Sequence, residues 1–314
     1  MKNKDLLSIA DLSGEDIRWL VAETIDLKRT GQWLSLLDRK VLALVFEKPS
    51  LRTRVSFEVA MRQLGGHCLY LSPEEVGLGK REPVADVARV LSRYVNVIAA
   101  RTFSHETLEV MATSTDIPVI NALSDVEHPC QALTDLVSIY EKKGELAGLN
   151  LAYLGDGNNV ASSLVLAASL AGMNFRIAGP VEHAIDGEVM ALARDFAQDS
   201  GAEILITEQP EMALADADIV YTDVWTSMGQ EAESEQRRLD FKDYQLNRER
   251  LLLARSDALV MHPLPAHLGE EVTGDVLYGS QSVIFDQAEN RMHLAKTLLA
   301  VMLGGLEMPL SAYR

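Results

Sequence analysis

The hydrophobic residues of this chain occur as short apolar runs that alternate with stretches of helical spacing. Val41–Phe46 (VLALVF) is a continuous apolar run, typical of a buried strand. Phe57, Ala60 and Leu64 follow at i, i+3 and i+7, which predicts an amphipathic helix that ends at Gly65. The same alternation of strand and helix is predicted for most of the chain.

Two successive series of such elements are predicted. Further strands are predicted at His67–Leu71, Val97–Ala100, Pro118–Ala122, Asn150–Leu154, Phe175–Ala178, Glu203–Thr207, Ile219–Thr222, Ala258–Met261 and Val283–Asp286. Helices are predicted at 85–94, 106–113, 130–144, 159–171 and about 290–303. Regular alternation implies parallel sheets covered on both faces, so we predict an α/β fold with two doubly wound parallel-sheet domains. We expect domains at 1–140 and 141–290, with residues 291–314 forming a C-terminal helix that returns to the first.

Composition narrows the class of protein. The chain has 314 residues and a formal net charge of −17, which argues against a general nucleic-acid or anionic-membrane surface. No apolar run has the roughly 18 residues that a membrane span needs, and the N-terminal residues lack the apolar core of a signal peptide. Cys68 and Cys130 give neither a disulfide framework nor zinc spacing. We therefore expect a cytoplasmic enzyme without a metal.

Unusual polar residues follow the predicted strands repeatedly. Ligands bind at the carboxyl ends of the strands in open parallel sheets, so these residues indicate one convergent site, expected in the cleft between the domains. The clusters are Ser50–Arg54, Arg101, His128–Gln131, Gly155–Asn159, Asp223 and His262–Pro265.

The SLRTR cluster at Ser50–Arg54 has the clearest chemistry. It brings backbone N–H groups, a hydroxyl and guanidinium groups to a helix N-terminus, which favours an anion. Alone it is equally consistent with a capped helix carrying exposed arginines, but Arg101 at another strand end favours a phosphate or carboxylate ligand. His128 and Gln131 could donate hydrogen bonds to a carbonyl oxygen on which negative charge develops.

Three other motifs do not support a cofactor or metal. GDGNN at 155–159 lacks the G-x-G-x-x-G pattern of dinucleotide sites, and GLGK at 77–80 lacks the rest of a P-loop. His262, His267, Glu270 and Glu271 fit no standard metal spacing. We expect neither a nicotinamide cofactor nor a metal.

With these residues in hand, the chain resembles the aspartate/ornithine carbamoyltransferase family, and most closely its ornithine-using members. The resemblance extends from about Leu6 to Leu303. It is carried by FEKPSLRTRVSFEVA, RTF at 101–103, HPCQ at 128–131, GDGNN, DVWTSMGQE at 223–231, HPLPAH at 262–267 and FDQAENRMH at 285–293. It implies carbamoyl transfer from carbamoyl phosphate to the δ-amine of ornithine, two α/β domains and a trimer or multiple of trimers.

The resemblance also implies site residues, position by position. The predicted catalytic residues are Thr53, Arg101 and His128, near the carbonyl oxygen. The predicted carbamoyl phosphate contacts are Ser50, Leu51, Arg52, Thr53, Arg101, His128, Gln131, Arg291 and the backbone of Pro263 and Leu264. The predicted ornithine contacts are Asn159, Asp223, Ser227 and Met228.

Three positions depart from the family pattern. Pro263 stands where the ornithine enzymes usually have cysteine, Leu51 where many members have threonine, and Gly77 where some have a glutamine that reaches a neighbouring subunit. Lys80 or Arg81 could supply charge in its place. Putrescine, aspartate or an N-acylated ornithine remain alternative acceptors, although Asp223 suits the α-ammonium group of ornithine. A non-catalytic binding protein of the same fold is the alternative from another class.

Overall fold

The computed structural model describes residues 4–31, 34–227 and 229–306. The described residues separate into two compact units. Unit 1 consists of the described residues up to Val137 together with those from Glu289 onward, and unit 2 spans Ser138–Ala288. Each unit contains one parallel sheet with helices, which confirms the α/β parallel-sheet fold that the alternation predicts.

The sheet of unit 1 has the strand order β2-β1-β3-β4. Its strands are β1 (Val41–Phe46), β2 (His67–Leu71), β3 (Val97–Arg101) and β4 (Val119–Leu123). The central strands β1 and β3 are buried along nearly all of their length, and they are apolar except for Arg101 at the end of β3. The helices are α1 (Gly14–Thr30), α2 (Leu51–Gln63), α3 (Pro73–Val76), α4 (Val84–Leu91), α5 (His105–Thr113), the beginning of α6 (Pro129–Lys143), which continues in unit 2, and the end of α13 (Ile284–Met302).

The sheet of unit 2 has the strand order β7-β6-β5-β8-β9. Its strands are β5 (Asn150–Leu154), β6 (Asn174–Ala178), β7 (Ile204–Thr207), β8 (Ile219–Thr222) and β9 (Leu259–Met261). The helices are α7 (Asn159–Ala171), α8 (Gly187–Ser200), α9 (Pro210–Leu214), α10 (Ser234–Phe241), α11 (Arg248–Leu251), α12 (Gly274–Leu277) and the beginning of α13. Tyr153 and Tyr221, both buried, stack across neighbouring β5 and β8 with ring centroids 5.6 Å apart.

Each sheet has a point at which the strand order reverses. In unit 1 this point lies between β1 and β3, where Phe46 pairs with Arg101. In unit 2 it lies between β5 and β8, where Leu154 pairs with Thr222. The connections leave such a pair of strands in opposite directions, so a crevice opens beyond their carboxyl ends. The polar clusters after these strands are brought together at these two places.

The predicted strand Val283–Asp286 is wrong. Val283 N–H donates to the Val260 carbonyl, but Ile284 already begins α13, six residues before the predicted start of the final helix. Ile284 and Gln287 are buried, whereas Phe285 is 68% exposed. This burial follows a helical period, which a four-residue apolar run cannot distinguish from a strand.

No helix among the described residues is long and apolar enough to cross a membrane.

We expect Gly179→Ala to destabilise unit 2. A Cβ at this position, just after β6, comes within 2.3 Å of the Gly155 carbonyl oxygen, and backbone cannot move aside easily. We expect a loss of about 1–3 kcal/mol in the free energy of unfolding, measured by urea denaturation. Gly187→Ala is the control, because a Cβ there meets nothing within 4 Å. Equal stability of the two variants would contradict the close packing of these loops.

Candidate active site

The N-terminus of α2 follows β1 directly and is capped by Ser50. The Ser50 hydroxyl accepts from the Thr53 N–H at 3.3 Å and donates to the Thr53 hydroxyl at 3.0 Å. Thr53 is buried, whereas Leu51 is 76% exposed. The first turn of a helix leaves N–H groups without intrahelical partners, so this turn is suited to an anion.

The two arginines of the SLRTR cluster have different surroundings. Arg54 is exposed, pairs with Glu58 at 2.9 Å and lies over the Tyr70 ring, 3.8 Å from its centroid. Arg52 is half-buried and lies close enough to Arg101 to lower the pKa of that residue. Arg52 therefore contributes to the positive potential at the end of β1 and β3.

Arg291, on α13, connects the predicted site residues of unit 1. Its guanidinium donates to the Thr53 hydroxyl at 3.0 Å and to the Gln131 side-chain oxygen. It also approaches His128 Nε2 at 3.4 Å. All four side chains are buried. The structure thus brings together residues from α2, the start of α6 and α13 that lie far apart in the sequence.

Arg101 ends β3 and is only 5% exposed. Burial, and repulsion from Arg291 and Arg52, lower the pKa of Arg101 to about 10. Its Nε has no hydrogen-bond partner among the described residues. A buried guanidinium beside two others is costly unless an anion compensates the charge. The arrangement therefore favours a ligand with two or more negative charges.

His128 is held as a neutral ring. Burial, and the positive charges of Arg291 and Arg101, lower its pKa well below the ordinary value. Because arginine only donates, Nε2 of His128 is the acceptor in the contact with Arg291. His128 can therefore exchange hydrogen bonds with a ligand without adding a charge.

Neighbouring side chains fix the positions of His128 and Gln131. The carboxylate of Glu127, adjacent to His128, accepts from the Ser8 hydroxyl and from the Ile9 N–H at 3.1 Å. The Gln131 amide nitrogen donates to Asp135 at 2.8 Å. This bond leaves the Gln131 oxygen directed at Arg291.

In unit 2, Asp223 follows β8 at the point where the strand order reverses. Its carboxylate accepts from Asn158 Nδ2 at 2.9 Å and from the Val224 N–H at 2.8 Å. Burial raises the pKa of Asp223, with a smaller contribution from Glu271, while His262 and these two hydrogen bonds oppose the shift. A buried carboxylate of this kind favours a cationic group on a ligand.

Two of the other predicted ornithine-binding residues of unit 2 lie in half-buried positions. Asn159 is half-buried at the first turn of α7, next to Asp223's partner Asn158. Ser227 is half-buried, and its N–H donates to Gln230 at 3.1 Å. Met228, also predicted to bind ornithine, lies outside the described residues.

The HPLP segment after β9 is organised by His262. The Leu264 N–H donates to His262 Nδ1 at 2.9 Å, so the opposite ring nitrogen, 3.1 Å from Glu271, carries the proton. Leu264 has a positive φ of 56°, a conformation that a non-glycine residue adopts only when its surroundings hold it. Pro263 and Leu264 are half-buried, and their backbone is fixed by this buried pair.

The side-chain ligand atoms of His267, Glu270 and Glu271 lie within 4.8 Å of one another. They are already engaged with protein groups. Glu270 pairs with Arg238 at 2.7 Å, and Glu271 accepts from the His267 N–H at 2.7 Å as well as from His262. These contacts account for the cluster as a set of internal hydrogen bonds and ion pairs.

The sequence places Asn158 in the polar cluster Gly155–Asn159 without predicting its role, and it gives no sign of Arg237. Asn158 caps α7 by accepting from the Val160 and Ala161 N–H groups, and it also holds Asp223. Its place just before a helical pattern is a signal that could have found it. Buried Arg237 pairs with Asp156. No sequence pattern separates Arg237 from the exposed Arg238 beside it.

The two clusters have complementary chemistry. The cluster of unit 1 offers cations and neutral donors to an anion that also carries a polar oxygen. The cluster of unit 2 offers a carboxylate and amides to a ligand that carries an ammonium group and a carboxylate. Among the described residues, neither cluster contains an activated nucleophile beside a base, so the arrangement indicates positioning and charge stabilisation.

Comparisons with known proteins cover almost the whole chain. The family model described as aspartate/ornithine carbamoyltransferase, carbamoyl-P binding domain, matches residues 4–141. The model described as aspartate/ornithine carbamoyltransferase, Asp/Orn binding domain, matches residues 147–302. The boundary between the two matches lies close to that between the two compact units.

Individual relatives agree with the family models. The chain is 51% identical to the ornithine carbamoyltransferase of Anoxybacillus flavithermus over 306 residues, which cover 96% of this chain and 98% of that protein. It is 47% identical to the ornithine carbamoyltransferase of Pyrococcus horikoshii, with 98% of each chain covered. The structure of ornithine carbamoyltransferase from Pyrococcus furiosus matches with a TM-score of 0.93 at 47% identity, covering 98% of this chain and 99% of that chain. These similarities confirm the resemblance that the motifs indicate.

We expect His128 to make the stability of the protein depend on pH. Its folded-state pKa is lowered, so below about pH 6.5 the unfolded chain binds a proton that the folded chain does not. The free energy of unfolding should therefore decrease as the pH is lowered. The decrease should be steeper in the wild type than in His128→Gln, by up to about 1.4 kcal/mol per pH unit. Urea denaturation between pH 7.5 and 5.0, at one protein concentration, measures the difference. Equal slopes would show that His128 is not held neutral.

Proposed function

Because the chain belongs to the aspartate/ornithine carbamoyltransferase family, we propose that it transfers the carbamoyl group of carbamoyl phosphate to the δ-amine of L-ornithine. The products are L-citrulline and phosphate. The names of the relatives that match over nearly their full length support ornithine as the acceptor.

The observation that carries the proposal is the buried, uncompensated charge of Arg101. Its Nε has no partner among the described residues, and Arg52 and Arg291 lie close enough to lower its pKa. Carbamoyl phosphate is a dianion near neutral pH, and its phosphate oxygens match the fork of a guanidinium. Binding of this dianion would offset the repulsion among the three guanidinium groups.

The proposed roles in unit 1 follow from this charge. Ser50, Arg52, the Leu51 N–H and Arg291 bind the phosphate, together with the N-terminus of α2. Gln131 and His128 contact carbamoyl phosphate as well. Thr53, Arg101 and His128 stabilise the carbonyl oxygen while negative charge develops on it, and one such donor is typically worth about 10²–10³ in rate. Leu51 needs only its backbone for this role, so the absence of a hydroxyl there is compatible with binding.

The proposed roles in unit 2 concern the amino acid. Asp223, held by Asn158, pairs with the α-ammonium group, and Asn159 binds the α-carboxylate. Ser227 and Met228 complete the ornithine contacts. The carbonyl groups of Pro263 and Leu264 accept from the reacting amine or the carbamoyl nitrogen. Proline keeps a carbonyl, so the replacement of the usual cysteine is compatible with this role.

The reaction is a direct substitution at the carbonyl carbon. The δ-ammonium group first loses a proton, and the free amine forms a bond to that carbon. The carbonyl electrons move onto oxygen, giving a tetrahedral oxyanion. The oxyanion electrons then re-form the carbonyl group as the bond to the phosphate oxygen breaks. The leaving phosphate takes one of the two protons on the attacking nitrogen, and the other stays as the ureido N–H. No covalent enzyme intermediate is needed.

We also propose a homotrimer, or a multiple of trimers, that works in the cytoplasm. The family resemblance supports the assembly. A further support is an open groove of about 850 Å³ beside the edge strand β2, lined by the exposed side chains of Leu69 on β2 and Tyr94, which follows α4. A second copy of the chain could cover these apolar side chains. The acidic composition and two free cysteines are compatible with the proposed location.

We expect phosphate release from carbamoyl phosphate to depend on ornithine. The assay compares ornithine, N-acetylornithine, putrescine and aspartate as acceptors, and mass spectrometry identifies the ureido product. Selective formation of citrulline supports the proposal. If only another amine is carbamoylated, that amine is the acceptor instead of ornithine, and the proposed carbamoyl transfer still holds. A folded protein that turns over none of the four would favour a non-catalytic binding protein.

We expect Arg101→Ala to weaken carbamoyl phosphate binding and to lower kcat/KM by about 100-fold or more, because a buried cation and donor is lost. Isothermal calorimetry measures the affinity, and the ornithine assay measures the rate. Arg89→Gln is the control, since Arg89 is 64% exposed and pairs with Asp86 on the surface of α4. If Arg101→Ala binds carbamoyl phosphate with unchanged affinity, Arg101 is not part of the binding site.

A further inference from the structure

A second buried arginine, Arg237, lies outside the residues to which the proposed function assigns a role. It belongs to α10 and is 4% exposed. Its guanidinium pairs with Asp156, donates to the Trp225 carbonyl and approaches His183 Nδ1 at 3.2 Å. Burying a guanidinium is costly unless its charge and N–H groups are compensated. Here Asp156 supplies an ion pair, and Trp225 and His183 supply hydrogen-bond acceptors.

Two of these segments carry the proposed amino-acid contacts. Asp156 lies in the loop after β5, two residues before Asn158, which holds Asp223. Trp225 lies two residues after Asp223 and two before Ser227. One guanidinium therefore connects the loop after β5 with the loop after β8 at the point where the strand order reverses.

The third segment is the short 3-10 helix Val181–His183. The His183 carbonyl accepts from the Gly157 N–H at 2.8 Å, which ties this segment back to the loop after β5. The other ring nitrogen of His183 lies 3.1 Å from Asp240, one turn along α10 from Arg237. The Arg237 contacts therefore form a closed network rather than a single pair.

Aromatic stacking restrains the same loops. The Trp225 ring stacks on Phe241 of α10 with centroids 6.0 Å apart, and His183 lies 4.8 Å from the same Phe241 ring. Burial raises the pKa of Asp156 to about 6, although Arg237 and His183 act in the opposite direction. The carboxylate is therefore ionised at pH 8, where it pairs with the arginine.

We propose that Arg237 is a positioning residue for ornithine: by joining Asp156 to the Trp225 carbonyl, it sets the distance between the loop that carries Asn158 and the loop that carries Asp223 and Ser227. The inference rests on the proposed function, because it assigns these loops to the amino acid. Its contacts are within unit 2, so its loss should affect ornithine and leave carbamoyl phosphate unaffected. A lysine at this position keeps a positive charge near Asp156. It lacks the guanidinium fork that here contacts Asp156, the Trp225 carbonyl and His183 at once.

The test uses the full-length enzyme at pH 8 with the variants Arg237→Gln, Arg237→Lys and Asp156→Asn. Arg238→Gln is the matched control, because Arg238 is the next residue on α10, is 55% exposed and pairs with Glu270 at the surface. Steady-state kinetics give the KM values for both substrates. Calorimetry gives the Kd of L-norvaline, which keeps the α-ammonium and α-carboxylate but lacks the δ-amine.

We expect Arg237→Gln to raise the KM for ornithine and the Kd of norvaline together by about 10- to 100-fold, with the KM for carbamoyl phosphate within twofold of the wild type. Arg237→Lys should be intermediate and Arg238→Gln unchanged. The double variant Asp156→Asn/Arg237→Gln should be no worse than Arg237→Gln alone, because the two residues share one interaction.

A role in stability alone gives a different result. A lower melting temperature and a smaller active fraction, with ornithine KM and norvaline Kd unchanged, would overturn the inference. An equal rise in both KM values would overturn it as well. If Arg237→Gln does not fold, Arg237→Lys and Asp156→Asn decide by the same readouts. A wild-type protein that neither turns over nor binds norvaline would instead contradict the proposed function.

Discussion

The positive charge buried around Arg101 is the constraint on which the unit 1 cluster depends. Arg101 ends a central strand and cannot reach solvent, and Arg52 and Arg291 add repulsion to the cost of its burial. Protein groups satisfy Arg291 through Thr53 and Gln131, yet no carboxylate from the described residues is paired with Arg101. Such a cluster is tolerable in a stable fold when an anionic ligand compensates it, since binding then relieves repulsion as well as forming contacts. Arg101 therefore indicates an anionic ligand, whereas the exposed Arg54 does not, because Glu58 already pairs with it.

The topology of each parallel sheet places these groups. In both units the polar residues follow the two neighbouring strands at which the order reverses, β1 and β3 in one and β5 and β8 in the other. Strands β1 and β3 are buried along most of their length and largely apolar, and the buried polar residues Arg101 and Thr222 occupy the last positions of β3 and β8. The site residues therefore lie at the strand ends, where helix N-termini add oriented N–H groups. A cation-rich cluster and a carboxylate-bearing cluster are thus built by the same architecture with different side chains.

The two clusters use opposite electrostatic means to keep their groups ready. Burial and neighbouring guanidiniums keep His128 neutral, so it can act by hydrogen bonding. Burial raises the pKa of Asp223, while His262, the Asn158 amide and the Val224 N–H oppose that shift, and the last two donate hydrogen bonds to its carboxylate. Around it, Arg237 and the His262–Glu271 pair fix the loops through backbone groups of Trp225 and Leu264. Loops have no regular hydrogen bonding of their own. The positions of the ligand-contacting residues in such a site therefore depend on neighbouring residues that hydrogen-bond to the loops.

The alternation of strands and helices, the parallel α/β class and the polar clusters at the strand ends could be predicted from the sequence, because burial on both faces and helix capping leave local patterns. The error at Val283–Asp286 has the same origin: a four-residue apolar run fits a strand and the first turn of a helix equally well. Tertiary packing settles two further points: Arg291 joins Thr53 and Gln131, and Arg237 is buried while Arg238 is exposed. Those outcomes depend on which surfaces meet when distant segments pack, and a guanidinium has the same local pattern whether or not an acceptor more than 150 residues away reaches it.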